Sequence, residues 1–314
     1  MRALVTGGAG FIGSHVVEDL LAEGHEVSVL DNLATGRRDN VPAGVELIVA
    51  DIRDEAAVQA AFARTQPELV SHHAAQTSVS VSVRAPSDDA AVNVLGTVNV
   101  LEAARRHGAQ RFVFASTGGA IYGEVPEGQR AGIATAARPF SGYACAKLSA
   151  ETYLDYYQRA HGLQTAILRY ANIYGPRQDP HGEAGVVAIF VDRMHDGHAL
   201  QINARKEAGD DGCIRDYVFV GDVVRAHRLA TRGQLDGQIF DVGTGEGTST
   251  RTLAQTLARA MDRTPTLVDA PPRPGDVERS VLDPTPFRTR VGEPTPLHEG
   301  LEATARALIG TKAG

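Results

Sequence analysis

A tyrosine and a lysine four residues apart, Tyr143 and Lys147, lie in the segment YACAK. If this segment is helical, the two side chains share one face. A phenol titrates at about 10 and is a poor base at neutral pH, but a neighbouring ammonium stabilises the phenolate and lowers its pKa. We therefore expect Tyr143 to exchange a proton with a substrate hydroxyl.

A glycine-rich turn, TGGAGFIG, stands between a predicted strand and a predicted helix at the start of the chain. Gly7, Gly10 and Gly13 fit one phosphate-loop spacing, and Gly8 replaces Gly7 in a second. Glycines make the turn tight and let a pyrophosphate approach the backbone at the helix N-terminus, where unpaired N–H groups favour anions. Asp31 ends the next predicted strand, where its carboxylate can accept ribose hydroxyls and would repel a 2′-phosphate. The pattern predicts NAD rather than NADP.

Two hydroxyl side chains, Ser116 and Thr117, follow the apolar run RFVFA. The C-terminal edge of a central strand is where open parallel sheets bind ligands. Either hydroxyl could bind the reacting oxygen of a substrate.

The elements that must position these residues alternate in type through the first half of the chain. Apolar runs between amphipathic helices predict a parallel sheet covered on both faces, which makes it a Rossmann-like doubly wound α/β fold. The predicted strands are 3–6, 26–31, 45–50, 68–73, 111–115 and 165–169, and the predicted helices are 11–23, 54–64, 88–107 and 142–162.

The composition changes after about residue 173, where glycine, proline and charged residues become frequent. We predict an NAD-binding domain of residues 1–173, to which about 217–242 return. We predict that residues 174–216 and 243–314 form a smaller C-terminal α/β lobe, which we expect to bind the substrate.

The composition is ordinary for a globular enzyme: 314 residues, 43% hydrophobic and 22% charged. The net charge of -7 argues against nucleic-acid binding, and no apolar run approaches the roughly 20 residues that span a bilayer. The cysteines, Cys145 and Cys213, lack metal-ligand spacing and favour reduced thiols in a cytoplasmic protein, and the N-terminus does not look like a signal peptide. His195 and His198 form an HxxH pattern without further ligands, so we predict no metal.

Together these motifs resemble the extended short-chain dehydrogenase/reductase family, and within it the UDP-glucose 4-epimerase (UDP-galactose 4-epimerase) branch. The resemblance covers nearly the whole chain. It also rests on segments beyond those above, which are LDNL, the AD at 50–51, HHAAQ, VNVLGT, STGGAIYG, LRYANIYGPRQ, IRDYVFVGDV, DVGTGEG and PPRPGD.

The resemblance implies a cycle in which Tyr143 takes a proton from the sugar 4-hydroxyl while C4 gives a hydride to NAD, through a transient 4-keto sugar. It assigns residues to NAD and to the UDP-sugar. The implied NAD-binding residues are Gly7, Gly10, Phe11, Ile12, Gly13, Asp31, Asn32, Leu33, Thr35, Gly36, Asp51, Ile52, Ala74, Ala75, Gln76, Asn93, Tyr143, Lys147 and Tyr170. The implied substrate-binding residues are Thr117, Tyr143, Asn172, Val187, Arg215, Tyr217, Arg273, Asp276 and Ser280.

The chain departs from the branch's pattern at the catalytic hydroxyl. Counted from Phe114, Thr117 takes that position, and counted back from Tyr122, Gly118 does. We favour Thr117, with Ser116 as the second candidate.

Other members of the family remain alternatives. A sugar-nucleotide 4,6-dehydratase would place acidic residues just after the catalytic threonine, where this chain has Gly118 and Gly119. Another epimerase of the family and a catalytically silent NAD-binding sensor are further alternatives, although such a sensor usually lacks the tyrosine–lysine pair.

The resemblance also bears on substrate size and assembly. Ser280 takes the position beside the sugar 2-substituent, where a large aromatic would exclude an N-acetyl group, so we expect N-acetylhexosamine nucleotides to be tolerated. It further implies a homodimer formed through the helices near 88–107 and 142–162.

Overall fold

The computed structural model describes residues 1–180, 185–273 and 276–310. Pro274 and Gly275 of the PPRPGD motif lie outside them. Two compact units divide the chain. The first consists of 1–117, 141–169 and 224–240, and the second of 118–140, 170–223 and 241–314.

Thirteen strands are present in the described residues. In chain order they are β1 (Arg2–Thr6), β2 (Glu26–Asp31), β3 (Glu46–Val49), β4 (Leu69–His72), β5 (Arg111–Thr117), β6 (Gln164–Tyr170), β7 (Asn172–Tyr174), β8 (Leu200–Asn203), β9 (Ile214–Phe219), β10 (Gln238–Val242), β11 (Gly247–Ser249), β12 (Leu267–Ala270) and β13 (Arg279–Ser280).

The same residues contain twelve α-helices, and a π-helical segment, Ala91–Gly96, stands between the fourth and the fifth. They are α1 (Phe11–Ala22), α2 (Glu55–Thr65), α3 (Val79–Arg84), α4 (Pro86–Ala90), α5 (Thr97–Arg106), α6 (Gly118–Ile121), α7 (Gly142–His161), α8 (Val186–His195), α9 (Val220–Thr231), α10 (Thr250–Ala260), α11 (Thr285–Arg290) and α12 (Leu297–Gly310).

A seven-stranded sheet forms the centre of the first unit, in the order β10-β6-β5-β4-β1-β2-β3. The pairings from β3 through β1 to β5 are parallel. Because β1 lies between β2 and β4, the strand order reverses beside it, and such a switch point is where doubly wound sheets bind ligands. The predicted fold class is confirmed.

Apolar side chains bury the sheet under its helices. Phe62, Leu101 and Leu154, from α2, α5 and α7, pack in one core with Phe112 and Phe114 of β5. Helix α7 begins where the Ser141 hydroxyl accepts the N–H of Ala144 at 3.2 Å.

The second unit is built around β9. A small sheet has the order β11-β9-β13, β7 also pairs with β9, and β8 pairs with β12. Residues 118–140 belong to this unit because they follow its strands: Val125 N–H donates to Arg279 O at 3.0 Å, and Ala131 N–H to Val281 O at 2.9 Å.

The sequence located the elements of the first unit well and those of the second poorly. The six predicted strands are confirmed within one or two residues, and so are three of the four predicted helices. The helix predicted over 88–107 was wrong as a single helix, since α4, the π-helical segment and α5 replace it. The two compact units have other bounds than the predicted domains: 118–140, 170–173, 217–223 and 241–242 lie in the second unit, and the return to the first unit is 224–240.

Candidate active site

The turn between β1 and α1 has the shape that a pyrophosphate site requires. Gly7 has a φ of 69°, and a Cβ there would meet the backbone nitrogen of Ala74. A Cβ on Gly13 would overlap the Gly7 carbonyl oxygen, so α1 can pack this closely only with glycine. Gly10 precedes Phe11 and Ile12 as the N-cap of α1 without a side-chain cap, which leaves N–H groups for an anion.

Asp31 fastens the turn that follows β2. Its carboxylate accepts the N–H of Ala9 at 3.0 Å and that of Leu33 at 2.8 Å. Leu33 has a left-handed φ of 58°, and a Cβ at Gly36 would meet both Asp31 oxygens. Each oxygen keeps a further lone pair, so the carboxylate can still accept ribose hydroxyls. Asn32 and Thr35 are exposed on the same turn.

The implied adenine contacts, Asp51 and Ile52, follow β3. Arg53 binds Asp51 through Nε and NH2 at 2.9 and 2.8 Å, and Asn32 donates to Asp51 at 3.0 Å. These donors hold the pKa of Asp51 well below its usual range. Ile52 is buried in the core, which favours a contact with adenine through its backbone, and the assignment stays a prediction.

The turn after β4 is held by a reciprocal amide pair. Gln76 N–H donates to Asn93 Oδ1 at 3.0 Å, and Asn93 Nδ2 donates to Gln76 O at 2.9 Å. Asn93 thus supports the backbone that carries Ala74 and Ala75.

Neutral histidines lie beneath that turn. His72 bonds the hydroxyls of Thr6 and Thr97 at 2.6 and 3.0 Å, and burial lowers its pKa to about 3. Burial and His227 likewise lower the pKa of His73. Both are therefore uncharged at neutral pH.

Helix α7 docks on β5 through Lys147. The ammonium donates to Ala115 O at 2.9 Å and lies 4.7 Å from the centroid of the Phe114 ring. Burial lowers the pKa of Lys147 to about 8, and the charges of Asp89 and Glu151 oppose that fall. Tyr143 lies one turn earlier on α7, on the same face.

The expected fall in the pKa of Tyr143 is not found in the protein without a cofactor. Burial, and after it the negative charge of Asp89, raises the pKa of the Tyr143 phenol. In the protein alone, Lys147 therefore does not make Tyr143 a base at neutral pH.

The two candidate hydroxyls at the end of β5 differ in environment. Ser116 is buried and donates to Glu151 Oε1 at 2.5 Å, and Glu151 is paired with Arg169. Thr117 is only partly buried. The hydrogen bond to Glu151 therefore favours Thr117 over Ser116 as the catalytic hydroxyl, and both assignments stay predictions.

Tyr170 supplies an independent sign of a bound group. Its phenol oxygen is buried and has no hydrogen-bond partner among the described residues. A buried hydroxyl without a partner is costly. This orphaned donor indicates a bound group in the second unit, and the glycine turn of the first unit by itself fits a dinucleotide such as NAD.

Strand β9 brings several implied substrate residues together in the second unit. Arg215 is the register partner of Ser280 on β13 and of Thr248 on β11, and Tyr217 is the partner of Asn172 on β7. Asp216 is buried between them and accepts N–H groups from Thr244, Gly245 and Leu282 at 2.9 to 3.2 Å.

Two further residues of the implied nucleotide site lie on the loop before β13. Arg273 and Asp276 form an ion pair at 3.4 Å and are exposed. Their charges and that of Arg215 act on the thiol of Cys213, whose pKa burial raises. Three implied phosphate and uridine ligands therefore lie around one thiol.

Val187 and Tyr217, two implied substrate residues, are buried. Both lie in the apolar core of the second unit with Tyr174 and Phe190. Their assignment to the substrate stays a prediction, and their burial favours contacts through their backbone groups.

Sequence reasoning missed the buried charges that support the site. Glu151 follows Lys147 by four residues, as Lys147 follows Tyr143, so the helical spacing could have indicated it. Arg169 and Asp216 had no such signal, because their partners are distant in sequence, whereas Asp89 lies four residues before its partner Asn93.

His195 bonds its neighbour Asp196 at 2.8 Å and stands on the surface of α8. Among the described residues there is no cluster of three or more His, Cys, Asp or Glu side chains that could hold a metal ion. No helix in the described part of the chain has both the length and the apolar character needed to cross a membrane.

Known proteins share both the sequence and the fold. A model of the NAD dependent epimerase/dehydratase family matches residues 3–243. The UDP-glucose 4-epimerase of Mycolicibacterium smegmatis is 45% identical over 297 residues, covering 93% of each chain. The crystal structure of the Thermus thermophilus UDP-glucose 4-epimerase in complex with NAD is 54% identical, with a TM-score of 0.95 and 99% of each chain covered.

A UDP-glucose 4-epimerase from Thermotoga maritima, solved with UDP-glucose, is 44% identical with a TM-score of 0.92, covering 99% of this chain and 100% of that one. Family model, sequence and fold agree over most of the chain, and the chain belongs to the NAD dependent epimerase/dehydratase family.

Proposed function

We propose that the protein catalyses the NAD-dependent 4-epimerisation of UDP-hexoses, interconverting UDP-glucose and UDP-galactose. The observation that carries the proposal is the docking of Lys147 on Ala115, which sets the Tyr143 face of α7 against the strand that ends in Thr117. The similarity to UDP-glucose 4-epimerases solved with NAD and with UDP-glucose supports it.

NAD would be held by the Gly7–Gly13 turn, Asp31 and the turn at Ala74–Gln76. When bound, it supplies hydride acceptance and return at the sugar C4, together with one positive charge. Asp31 lies where a 2′-phosphate would meet a carboxylate, which favours NAD over NADP.

The chain's own groups manage the proton. Tyr143 exchanges it with the sugar 4-hydroxyl, and Thr117 bonds the same oxygen. Because burial raises the pKa of Tyr143, the phenol stays protonated until more positive charge than that of Lys147 is present. We infer that Tyr143 acts as a base only in the loaded enzyme.

The second unit would hold the nucleotide and the sugar. Arg215 and Arg273 carry fork-shaped guanidinium groups suited to a pyrophosphate, and Asn172 and Asp276 offer hydrogen bonds to the UDP. Ser280, beside Arg215 in register, would leave room for a 2-acetamido group.

The geometry disfavours the dehydratase alternative. Such an enzyme needs acidic residues after the catalytic threonine, and a Cβ at Gly119 would already lie 3.2 Å from Asn172 Oδ1. An acidic side chain here would displace an implied substrate residue.

The test incubates the purified protein, without added cofactor, with UDP-galactose and with UDP-N-acetylgalactosamine, and separates the nucleotide sugars. We expect each to equilibrate with its C4 epimer, and NAD to be released on denaturation. Protein that carries NAD but equilibrates neither sugar nucleotide would contradict the proposal and favour a silent sensor.

We also propose a homodimer formed through the helices around α5 and α7. Leu95 is 61% exposed in the π-helical segment, and Tyr153 and Tyr156 are exposed on α7. Sedimentation velocity should show a dimer, and Tyr156→Asp with Leu95→Asp should shift it toward monomer. The two free thiols, Cys145 and Cys213, support a cytoplasmic location.

A further inference from the structure

Asp89 is a buried carboxylate that no motif marked. It lies in α4, directly before the π-helical segment, and is 1% exposed. Burying a charge is costly unless other groups bind or balance it. The surroundings of this carboxylate therefore indicate its role.

One oxygen of Asp89 anchors the turn after β4. Asp89 Oδ1 accepts Gln76 Nε2 at 2.6 Å and Asn93 Nδ2 at 2.9 Å. Asn93 lies in the π-helical segment, a widened geometry that recurs at functional sites. Asp89 thereby orients the side-chain amides of Gln76 and Asn93, and the Asn93 amide in turn holds the Gln76 backbone.

The other oxygen has no such partner. Asp89 Oδ2 is buried and accepts no hydrogen bond from the described residues, and α4 packs against α7. Asp89 acts electrostatically on Tyr143 and Lys147 of that helix.

Other titratable groups near Lys147 do not balance Asp89. Glu151 of α7 is committed to Arg169 of β6 and to Ser116. His72 ends β4, and His73 follows it. Each carries a charge that could act on Lys147 only when it is protonated, and burial keeps both neutral. Burial raises the pKa of Asp89, and the hydrogen bonds from Gln76 and Asn93 and the charge of Lys147 oppose that rise. Lys147 is thus the cation that acts on Asp89 from the helix packed against α4.

We propose that Asp89 is a positioning residue, which holds the Gln76 turn with one carboxylate oxygen and supplies the counterion that keeps Lys147 an ammonium. The proposal deepens the function proposed above and rests on it for its catalytic meaning. The proton exchange at Tyr143 then depends on a carboxylate outside the tyrosine–lysine motif.

The titration of Lys147 can be measured directly, because the chain has lysine only at positions 147, 206 and 312. We would label lysine with ¹³C in the NAD-bound protein, assign Lys147 with the variant Lys147→Met, and follow its signal with pH. Asp89→Asn should lower the midpoint of Lys147 by about one pH unit, since it removes a nearby opposite charge. Asp88→Asn, an exposed neighbour, should leave it unchanged.

Three results would overturn the proposal. They are an unchanged midpoint in Asp89→Asn, an equal fall in Asp88→Asn, and an equal fall in the charge-conserving Asp89→Glu. The wild-type protein alone provides a fourth test if Asp89→Asn does not fold: a midpoint at or below about 6, typical of a buried lysine without a counterion, would also overturn it.

The Lys147 titration needs no turnover. It can therefore fail independently of the proposed epimerase function, which the assay of the wild-type protein tests. With UDP-galactose as substrate, the alkaline limb of the kcat/KM profile should move to lower pH in Asp89→Asn by the same amount as the Lys147 midpoint. A limb that does not move while the midpoint does would overturn the catalytic part of the proposal.

Discussion

The hydroxyl of Ser116 donates a 2.5 Å hydrogen bond to Glu151, at the end of the strand that also carries Thr117. Arg169 binds the same carboxylate through Nε and NH2 at 3.0 and 2.5 Å, and all three residues are buried. This cluster fastens α7 to β5 one helical turn beyond Lys147. It gives Ser116 a structural role, and Thr117 stays the predicted catalytic hydroxyl.

Replacing the two hydroxyls should therefore have opposite effects. Ser116→Ala should lower the free energy of unfolding by about 1.5–3 kcal/mol, as for a lost bond to a charged group, and leave kcat within a few fold. Thr117→Val should lower kcat about 10²-fold, as for a lost donor to the reacting oxygen, with little effect on stability. Urea unfolding and a UDP-galactose assay measure both. A loss of kcat in Ser116→Ala and a loss of stability in Thr117→Val would instead favour Ser116 as the catalytic residue.

These residues show how far the sequence leads. Tyr143, Lys147 and the glycine turn were predictable because each motif is local and its spacing is fixed by a helix or a strand-to-helix turn. The choice between Ser116 and Thr117 was not, because it depends on Glu151 and Arg169, whose pairing needs the sheet to form. The strands of the second unit could not be predicted for the same reason, because β9 pairs with strands from three separate stretches of chain.

Removing the phenol oxygen should separate catalysis from cofactor binding. Tyr143→Phe should lower kcat by about 10²- to 10⁴-fold, the usual contribution of a positioned acid–base group. NAD content should stay at the wild-type level, because the glycine turn and Asp31 are untouched. Absorbance of NAD released from the denatured variant provides the measurement. Wild-type turnover in this variant would refute the assignment of the base.

The buried ammonium predicts how activity depends on pH. Lys147 loses its proton as the pH rises through its pKa of about 8, so kcat/KM should fall above that value by about tenfold per pH unit. A profile that stays flat to pH 10 would contradict this role.

The lowered pKa of Lys147 also predicts how the free energy of unfolding depends on pH. The pKa of Lys147 is lower in the folded protein than its ordinary 10.5, so the unfolded chain binds more protons between about 8 and 10.5. The free energy of unfolding therefore gains a favourable contribution as pH rises through that window. Lys147→Met should abolish this contribution, whereas Lys206→Met, at a largely exposed lysine, should keep it. Urea midpoints measured across the window test the difference.

Two glycines of the phosphate turn should respond differently to alanine. A Cβ at Gly13 overlaps the backbone of Gly7, whereas one at Gly10 lies 3.2 Å from the Gly7 carbonyl oxygen. Gly13→Ala should destabilise the protein by about 1–3 kcal/mol through overpacking and also lose NAD. Gly10→Ala should remain nearly as stable as wild type but retain less NAD, because a methyl group would occupy the approach of the pyrophosphate. Equal stability of the two variants would contradict the packing argument.

Ser280 provides the test of substrate size. It is 2% exposed and stands beside Arg215 in the strand register, so a bulky side chain there must project toward neighbouring space or disturb β13. If that space receives the 2-substituent of the sugar, Ser280→Tyr should lower kcat/KM for UDP-N-acetylgalactosamine by at least about tenfold more than for UDP-galactose, since rejection by steric bulk is worth about 1–3 kcal/mol. Ser280→Ala keeps the space open and should preserve the wild-type ratio of the two activities. Thermal unfolding of both variants separates selective exclusion from general damage, and an equal loss for both sugars in Ser280→Tyr would place the 2-substituent elsewhere.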